Sequence, residues 1–449
     1  MMSAAEAASV IGARSSGADV RFEGVSTDSR SIGPRELFVA LRGERFDGHE
    51  FLEAAAARGA AAAIVDRNHP GPYPLPVIIV QDTKQALGDL ARGWRSRFTP
   101  VLIAVTGSNG KTTVKEMLAA ILRRHGGDQA VLATTGNFNN DIGVPLTLLR
   151  MRPAHRWCAI ELGMNHRGEI AYLAGIAAPT IALVNNAQRE HLEFMGSVEE
   201  VAAENASVYE ALPASGTAVI NADDPHAAFF RQRAGARQVV EFGLKGATVG
   251  GRYALGGLQS ELRLRTPQGE AQATLAIAGL HNVRNALAAA ACAHAAGIAA
   301  ATIAAGLSAF RPYPGRLQVK QAPGGLTVID DSYNANPDSV RAAIDVLAAC
   351  PAPTVLVLGD MGEVGPHGPS FHREIGAYAR ARGVTHLLAL GDAAAHAVEA
   401  FGAGGAHFSD VDKLVAAVEA RTVLVKGSRF MKMERVVAAL LGTPVEGAH

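Results

Sequence analysis

Residues 101–115 read VLIAVTGSNGKTTVK. Val101 to Val105 are all apolar and make a buried-strand pattern. Thr106-Gly107-Ser108-Asn109-Gly110 is a tight turn that large side chains would block, and Lys111-Thr112-Thr113 opens an amphipathic segment ending near His125. Strand, glycine turn, Gly-Lys-Thr and helix form a phosphate-binding arrangement. Backbone N–H groups of the turn and of the helix N-terminus converge on one point and attract an anion. Lys111 adds a mobile charge for the outer phosphates, and Thr112 offers a hydroxyl to Mg²⁺. The spacing departs from the common P-loop: the first glycine would fall at Val105, and Gly107 sits only three residues before Gly110. A chance glycine-rich strand-to-helix turn is the competing reading.

The chain has 449 residues, too many for one ordinary core, so two or three domains are expected. Lys+Arg is 42 and Asp+Glu is 42, which leaves no electrostatic case for binding nucleic acid or an anionic membrane. Cys158, Cys292 and Cys350 lie far apart in apolar runs, form no metal-ligand pattern, and suggest a reducing compartment. The N-terminus lacks a basic start followed by an apolar run, so no signal peptide is read there. The alanine-rich region Ala286 to Leu307 reads as packed helices rather than a membrane span. A cytoplasmic monomer is expected.

Outward from the phosphate turn, apolar runs at Val131–Thr134, Trp157–Leu162, Thr180–Asn185 and Thr217–Asn221 alternate with helical stretches. That alternation predicts a parallel sheet with helices on both faces, whose ligands sit at the carboxyl ends of the strands. The polar residues there are Glu161, Asn185, Asn186, Asn221 and Asp223. Before this unit lie short strands at Leu37–Leu41, Ala62–Val65 and Val77–Val80, then a helix over Thr83–Phe98, with a boundary at Thr99-Pro100. After it, Arg311-Pro312-Tyr313-Pro314-Gly315 is a stiff linker. Strands then follow at Leu326–Asp331, Thr354–Gly359, His386–Leu390 and Thr422–Lys426, alternating with helices. The expected fold is α/β in three domains: a small α/β unit over 1–98, a central P-loop parallel-sheet domain over 99–313, and a Rossmann-like doubly wound domain over 314–449.

Glu161 ends an apolar strand, where a carboxylate would sit beside the phosphate turn and hold Mg²⁺; a solvated strand-end carboxylate is the bland reading. A lone His191 is more often structural, but beside Glu161 and Thr112 it becomes a candidate metal ligand. Asn282 and Asn285 share a helical face and suit either a base edge or, as the plainer reading of this segment, an N-cap and a helix–helix contact. Asp331 could bind a ribose hydroxyl, with Asn334 and Asn336 orienting substrate, against a plain Asx-turn. Arg316, just past the linker, could reach across a domain cleft.

Taken together, these segments resemble the Mur ligases of peptidoglycan synthesis, over nearly the whole chain. The matching pieces are STDSR (Ser26–Arg30), LFVAL (Leu37–Leu41), TGSNGKTTVKEM, NNDIGVPLTLL (Asn139–Leu149), ELGMN (Glu161–Asn165), HNVRNA (His281–Ala286), DDSYNANP (Asp330–Pro337), LGDMGE (Leu358–Glu363) and VKGSR (Val425–Arg429). The resemblance implies that ATP phosphorylates a carboxylate and that an amine displaces phosphate from the acyl phosphate. DDSYNANP, LGDMGE and VKGSRFMKME point, within the family, to UDP-N-acetylmuramoyl-tripeptide and D-alanyl-D-alanine as substrates. Thr106 to Thr113 would hold the nucleotide phosphates, and Thr112, Glu161 and His191 would hold Mg²⁺. Asn282, Asn285, Arg316 and Asp331 would contact ATP. Ser26, Asp28, Ser29 and Arg30 would cradle the UDP end, and Asn137, Asn140 and Asp141 would face the muramoyl peptide.

One departure bears on the metal. The family's carbamylated lysine falls in register with Asn205, in Val201-Ala202-Ala203-Glu204-Asn205-Ala206, and no lysine occurs between Lys115 and Lys245. Glu204 is adjacent, and one residue of helix phase is roughly 100°. Glu204, supported by Asn205, could therefore replace the carbamate; a solvated Glu204 with waters on the metal is the alternative. Two rival functions remain: a ligase of the same fold adding glutamate to folates or another amino acid to the precursor, and an inactive nucleotide-binding partner protein.

Overall fold

A computed structural model describes residues 1–44 and 46–444. The apolar run after Pro100 forms the strand Val101–Thr106, the fourth of six in a wholly parallel sheet. The strand order is Gln238–Phe242, Thr217–Asn221, Ile181–Val184, Val101–Thr106, Trp157–Glu161, Val131–Ala133. The chain leaves the phosphate-turn strand toward one edge and later returns to its other side, so this strand lies at the topological switch point. In register, Glu161 pairs with Val105 on one flank and Val184 with Thr106 on the other. Two strand ends, Glu161 and Asn185, therefore bracket the turn, the place where α/β sheets bind ligands.

Alternate residues of this sheet feed two cores, as the period of two in a strand requires. Ile103 and Val105 join the helices Lys111–Gly126 and Leu280–Ala295 in one cluster, which continues into the third sheet through Ile329, Leu356 and Leu358. Leu102 and Ala104 join the other cluster, with Leu37, Ile64 and Ile78 of the first sheet. The bridge to that first sheet is the helix Thr83–Arg95, started by Asp82, whose carboxylate accepts from the N–H groups of Lys84 and Gln85. Trp94 donates to the Met151 carbonyl at 3.0 Å, and Arg95 to those of Ala177 and Ala178 at 2.9 and 3.0 Å.

The first sheet has five strands, with Arg14–Ser16 antiparallel at its edge. The third has six, ordered Gln318–Gln321, Thr327–Asp331, Thr422–Lys426, Thr354–Gly359, His386–Leu390, Gly405–Phe408. Its expected strands are all present. Its two edge strands, the first of them antiparallel, are additions to the expected set. A larger difference is a three-stranded antiparallel sheet over Gly250–Gly256, Gln259–Thr266 and Gly269–Leu275 inside the central unit. Leu262 and Leu264 face its core while Glu261, Arg263 and Arg265 face out, a half-buried strand rather than another strand–helix repeat. The region Ala286 to Leu307 is indeed helical, in Leu280–Ala295 and Ala300–Ala309. No helix among the described residues is long and apolar enough to cross a membrane.

Candidate active site

A cleft of about 1500 Å³ runs past the carboxyl ends of the central strands and is lined by all three sheet units. The phosphate turn forms its floor. Gly107 has φ 128° and a Cβ there would stand 2.9 Å from the Asn185 nitrogen, while Gly110, at φ 83°, lies against Asn285. These two positions need glycine for conformation and for space. The helix that follows the turn starts at Lys111, with Gly110 as its N-cap and no side-chain capping bond. Its first N–H groups are thus left for a ligand.

Lys111 donates to the Gly107 and Ser108 carbonyls at 2.6 and 3.2 Å and pairs with Glu190 at 2.9 Å. Glu190 is a site residue that the sequence reading passes over. It is buried, which by itself would raise its pKa, but Lys111 and His191 outweigh burial and hold the carboxyl below its ordinary value. Its second oxygen, Oε2, has no partner.

Thr112 and Glu161 do meet: the Thr112 hydroxyl donates to Glu161 Oε1 at 3.2 Å, and Asn139 Nδ2 donates to the same oxygen at 2.8 Å. Glu161 is 1% exposed and its Oε2 has no partner. A buried carboxylate with one free oxygen beside a phosphate turn fits a hard divalent cation, since Mg²⁺ takes one or two carboxylates and completes its shell with phosphate oxygens and water. Among the described residues, no group of three or more His, Cys, Asp or Glu is placed to hold a metal without such help.

His191 does not join Thr112 and Glu161 as expected. Its ring lies 3.5 Å from Glu190 and 2.6 Å from Glu363 of the third unit. Burial disfavours its charge, but the two carboxylates outweigh burial and raise its pKa to about 9. His191 and Glu363 both adopt left-handed backbone conformations, φ 50° and 59°, a cost that persists only where surroundings impose it.

Glu204 departs from expectation outright. Its two carboxylate oxygens accept from the N–H groups of Gly168 and Ile170, each at 2.8 Å. The side chain caps the N-terminus of the helix Glu169–Ala177, whose positive end welcomes an anion. Asn205 is fully buried, accepting from the Thr106 hydroxyl at 2.7 Å and donating to the Val201 carbonyl at 2.9 Å. Both side chains are taken up by protein partners and are not presented to a metal as a carbamate would be. Replacing Glu204 by Gln should lower stability by about 1 kcal/mol, a typical capping loss, with the Mg²⁺ dependence of the reaction unchanged. Urea melts together with a Mg²⁺ titration check this, and a raised Mg²⁺ requirement would return Glu204 to the metal.

Asn282 and Asn285 line the cleft, yet their amides are engaged by protein. Asn285 donates to Asn282 Oδ1 and accepts from Asn185, while Asn282 donates to the Ala278 carbonyl. Asn185 also donates to the Asn109 carbonyl at 2.7 Å. The chain of amides clamps the helix onto the phosphate turn through the strand end at Asn185, a contact that is neither the base-edge nor the helix–helix one expected. Asp331 is likewise occupied: it pairs with Lys426 at 2.5 Å, on the neighbouring strand end, and accepts from Leu317 N–H. Burial pushes the Asp331 carboxyl up and the Lys426 ammonium down, each against the attraction of the other.

Arg316 lies over the Tyr333 ring at 4.1 Å, with Arg429 5.6 Å from the same ring, and all three line the cleft. Arg316 Nε is buried without a partner. Asn336 caps the helix Pro337–Ala348 and donates to Asn109 Oδ1 at 2.9 Å, joining the third unit to the phosphate turn. Asn334 accepts from Ala335 N–H in a local turn. Asn137 lines the cleft, and Asn140, also lining it, accepts from Gly143 N–H. Asp141 pairs with Lys84 of the first unit at 2.7 Å. Ser26, Asp28, Ser29 and Arg30 lie at the end of the strand Gly24–Ser26, with Arg30 folded onto Asp28, and none lines this cleft.

Known proteins share this architecture end to end. Residues 21–95 match the Mur ligase family catalytic domain, 105–293 the Mur ligase middle domain, and 315–429 the Mur ligase glutamate ligase domain. The chain belongs to the Mur ligase family. It is 42% identical to UDP-N-acetylmuramoyl-tripeptide–D-alanyl-D-alanine ligase of Escherichia coli (strain K12), over 94% of this chain and 95% of that one. The crystal structure of MurF from Acinetobacter baumannii superposes with a TM-score of 0.91 at 34% identity, covering 98% of this chain and 99% of its own. The MurF ligase of Thermotoga maritima, solved in complex with ADP, gives 0.81 at 25%, covering 94% and 97%.

Proposed function

We propose that this chain is an ATP-dependent ligase that joins D-alanyl-D-alanine to UDP-N-acetylmuramoyl-tripeptide, giving ADP and phosphate, and that it works in the cytoplasm. The observation that carries the chemistry is the phosphate turn at the switch point of the central sheet, inside a cleft to which all three units contribute. The choice of substrates follows the E. coli relative, which covers nearly the whole length. Among the rival readings, a folate-type ligase lacks comparable support. We assign the boundaries 1–98, 99–313 and 314–449 to the three units.

In this reading the turn N–H groups and Lys111 hold the phosphates, with Asn285 and Asn282 as a fixed wall beside them. Mg²⁺, where bound, neutralises phosphate charge and polarises the transferred group. Thr112 and Glu161 are the residues that would hold it, and His191 becomes available only if it exchanges its carboxylate partners. A carboxylate oxygen of the tripeptide attacks the outer phosphorus and ADP leaves. The amine nitrogen of the dipeptide then attacks the carbonyl carbon and phosphate leaves. Arg316, with its unpartnered Nε, faces the charge that both steps carry. Seating the third unit on the turn through Asn336 and Asn109 keeps water from the acyl phosphate. Ser26, Asp28, Ser29 and Arg30 remain candidates for the UDP end, with Asn137, Asn140 and Asp141 along the peptide.

ADP release by the purified protein tests the assignment. D-alanyl-D-alanine should support turnover with UDP-N-acetylmuramoyl-tripeptide, while single amino acids should not. Turnover with glutamate and a folate instead would overturn the reading. Varying the third residue of the tripeptide in the same assay reads out that specificity.

A further inference from the structure

The loop from Asn185 to His191 divides its contacts between the phosphate turn and the third unit. Asn186 accepts from the N–H groups of Ser108 and Asn109, the latter through its side chain, at 2.9 and 2.8 Å. Gln188 donates from its backbone to the Ser108 hydroxyl at 2.9 Å and accepts from Asn109 Nδ2 at 2.7 Å. Glu190 holds Lys111. Asn185, Asn186, Gln188 and Glu190 thus grip the phosphate turn. Arg189, between the last two, is at the apex of a tight turn closed by the Glu190 N–H donating to the Gln188 carbonyl at 2.8 Å, and its side chain meets the third unit instead.

Arg189 meets two helices of the third unit. Its backbone N–H and its Nε and Nη2 donate to Asp338, the closest contact being 2.6 Å. Nη1 and Nη2 donate to Glu374 at 2.7 and 3.1 Å. Arg341 pairs with Glu374 as well, at 3.1 Å, which balances two cations against two carboxylates. The guanidinium also covers the Phe371 ring at 5.1 Å. Two forked contacts from one half-buried arginine fix an angle as well as a distance.

We propose that Arg189 is a positioning residue for the nucleotide site: by clamping Asp338 and Glu374 it holds the loop whose other side shapes the phosphate turn. The proposal rests on the reading of this cleft as a nucleotide site. Asp338 and Glu374 would repel one another without the Arg189 side chain, and at that point the loop would keep only the backbone N–H of residue 189 on Asp338. Other contacts between the units, among them Asn109 with Asn336, His191 with Glu363 and the shared apolar core, follow separate routes and remain.

The experiment uses the full chain and ADP as the probe. Arg189→Ala should weaken ADP binding by calorimetry about tenfold, the coupling expected of residues in one network. Amide exchange should quicken at 108–110 and 186–191, with no change in the strand Thr354–Gly359. Arg189→Lys keeps the charge but not the fork, so it should restore the melting temperature and recover only part of the affinity. If Arg189→Ala does not fold, the double variant Asp338→Ala, Glu374→Ala releases the clamp from the other side under the same readouts. ADP affinity within twofold of wild type, with unchanged exchange at 108–110, overturns the proposal. Ligation by the wild type is assayed in parallel: a wild type that binds ADP but ligates nothing sinks the proposed function, whereas one that ligates while Arg189→Ala binds ADP normally sinks the clamp alone.

Discussion

Lys111→Ala should lower the rate of ligation by about 10²–10³ or more, the usual loss when a preorganised charge is removed from a developing anion. The substitution has a second effect, which must be separated from the first. Lys111 is the partner of buried Glu190, so alanine leaves that carboxylate without its cation. Breaking a buried pair from one side costs about 3–5 kcal/mol at the upper end, and the small residual exposure of both groups reduces that. Stability should therefore fall along with activity. The double variant Lys111→Ala, Glu190→Gln removes the orphaned charge and should recover melting temperature without recovering turnover. Stopped-flow measurement of ADP release on both proteins separates the two effects. Near wild-type ligation by either one would mean that the turn around Lys111 does not hold the transferred phosphate.

Glu161→Gln is the second large effect. The carboxylate is buried, fixed through one oxygen by Thr112 and Asn139, and free at the other. Gln keeps the shape and an oxygen for those donors but offers the cation no negative charge. Ligation should fall about 10²–10³-fold at low Mg²⁺ and recover partly at high Mg²⁺. Mn²⁺ binding, followed by electron paramagnetic resonance with ADP present, should weaken in step. An unchanged Mg²⁺ curve would reduce Glu161 to a structural brace for the loop at Asn139.

The features legible in the sequence are those set by short spacings. The phosphate turn, the strand ending at Glu161 and each strand and helix of the third unit depend on residues that are close together in sequence, where strand and helix periods speak directly. Partners far along the chain are a different matter. Glu204 finds its caps 34 and 36 residues away, and nothing local distinguishes a carboxylate that caps a helix from one that binds a metal. Glu190 sits beside His191 in the sequence, yet its function depends on a lysine 79 residues earlier. Asn282 and Asn285 share the face expected of them, but what that face meets is decided by Asn185. The antiparallel sheet at 250–275 is a different kind of miss. Its polar–apolar alternation in Ser260–Thr266 is plain in the sequence, and an expectation of uninterrupted strand–helix repeats passes over it.

The two faces of the central sheet feed cores that continue into the units on either side. Sequence boundaries near residues 98 and 313 are therefore not lines along which the protein comes apart cheaply. A piece ending at residue 98 would part Trp94 from the Met151 carbonyl and Arg95 from those of Ala177 and Ala178, and would open to water the core that its sheet shares with the central unit. Such a piece should precipitate or associate rather than stand alone. Scanning calorimetry of the intact chain should accordingly show fewer transitions than there are units, with the first and central units melting together. Anyone seeking a soluble protein for nucleotide binding would do better to keep the chain whole than to excise the central sheet.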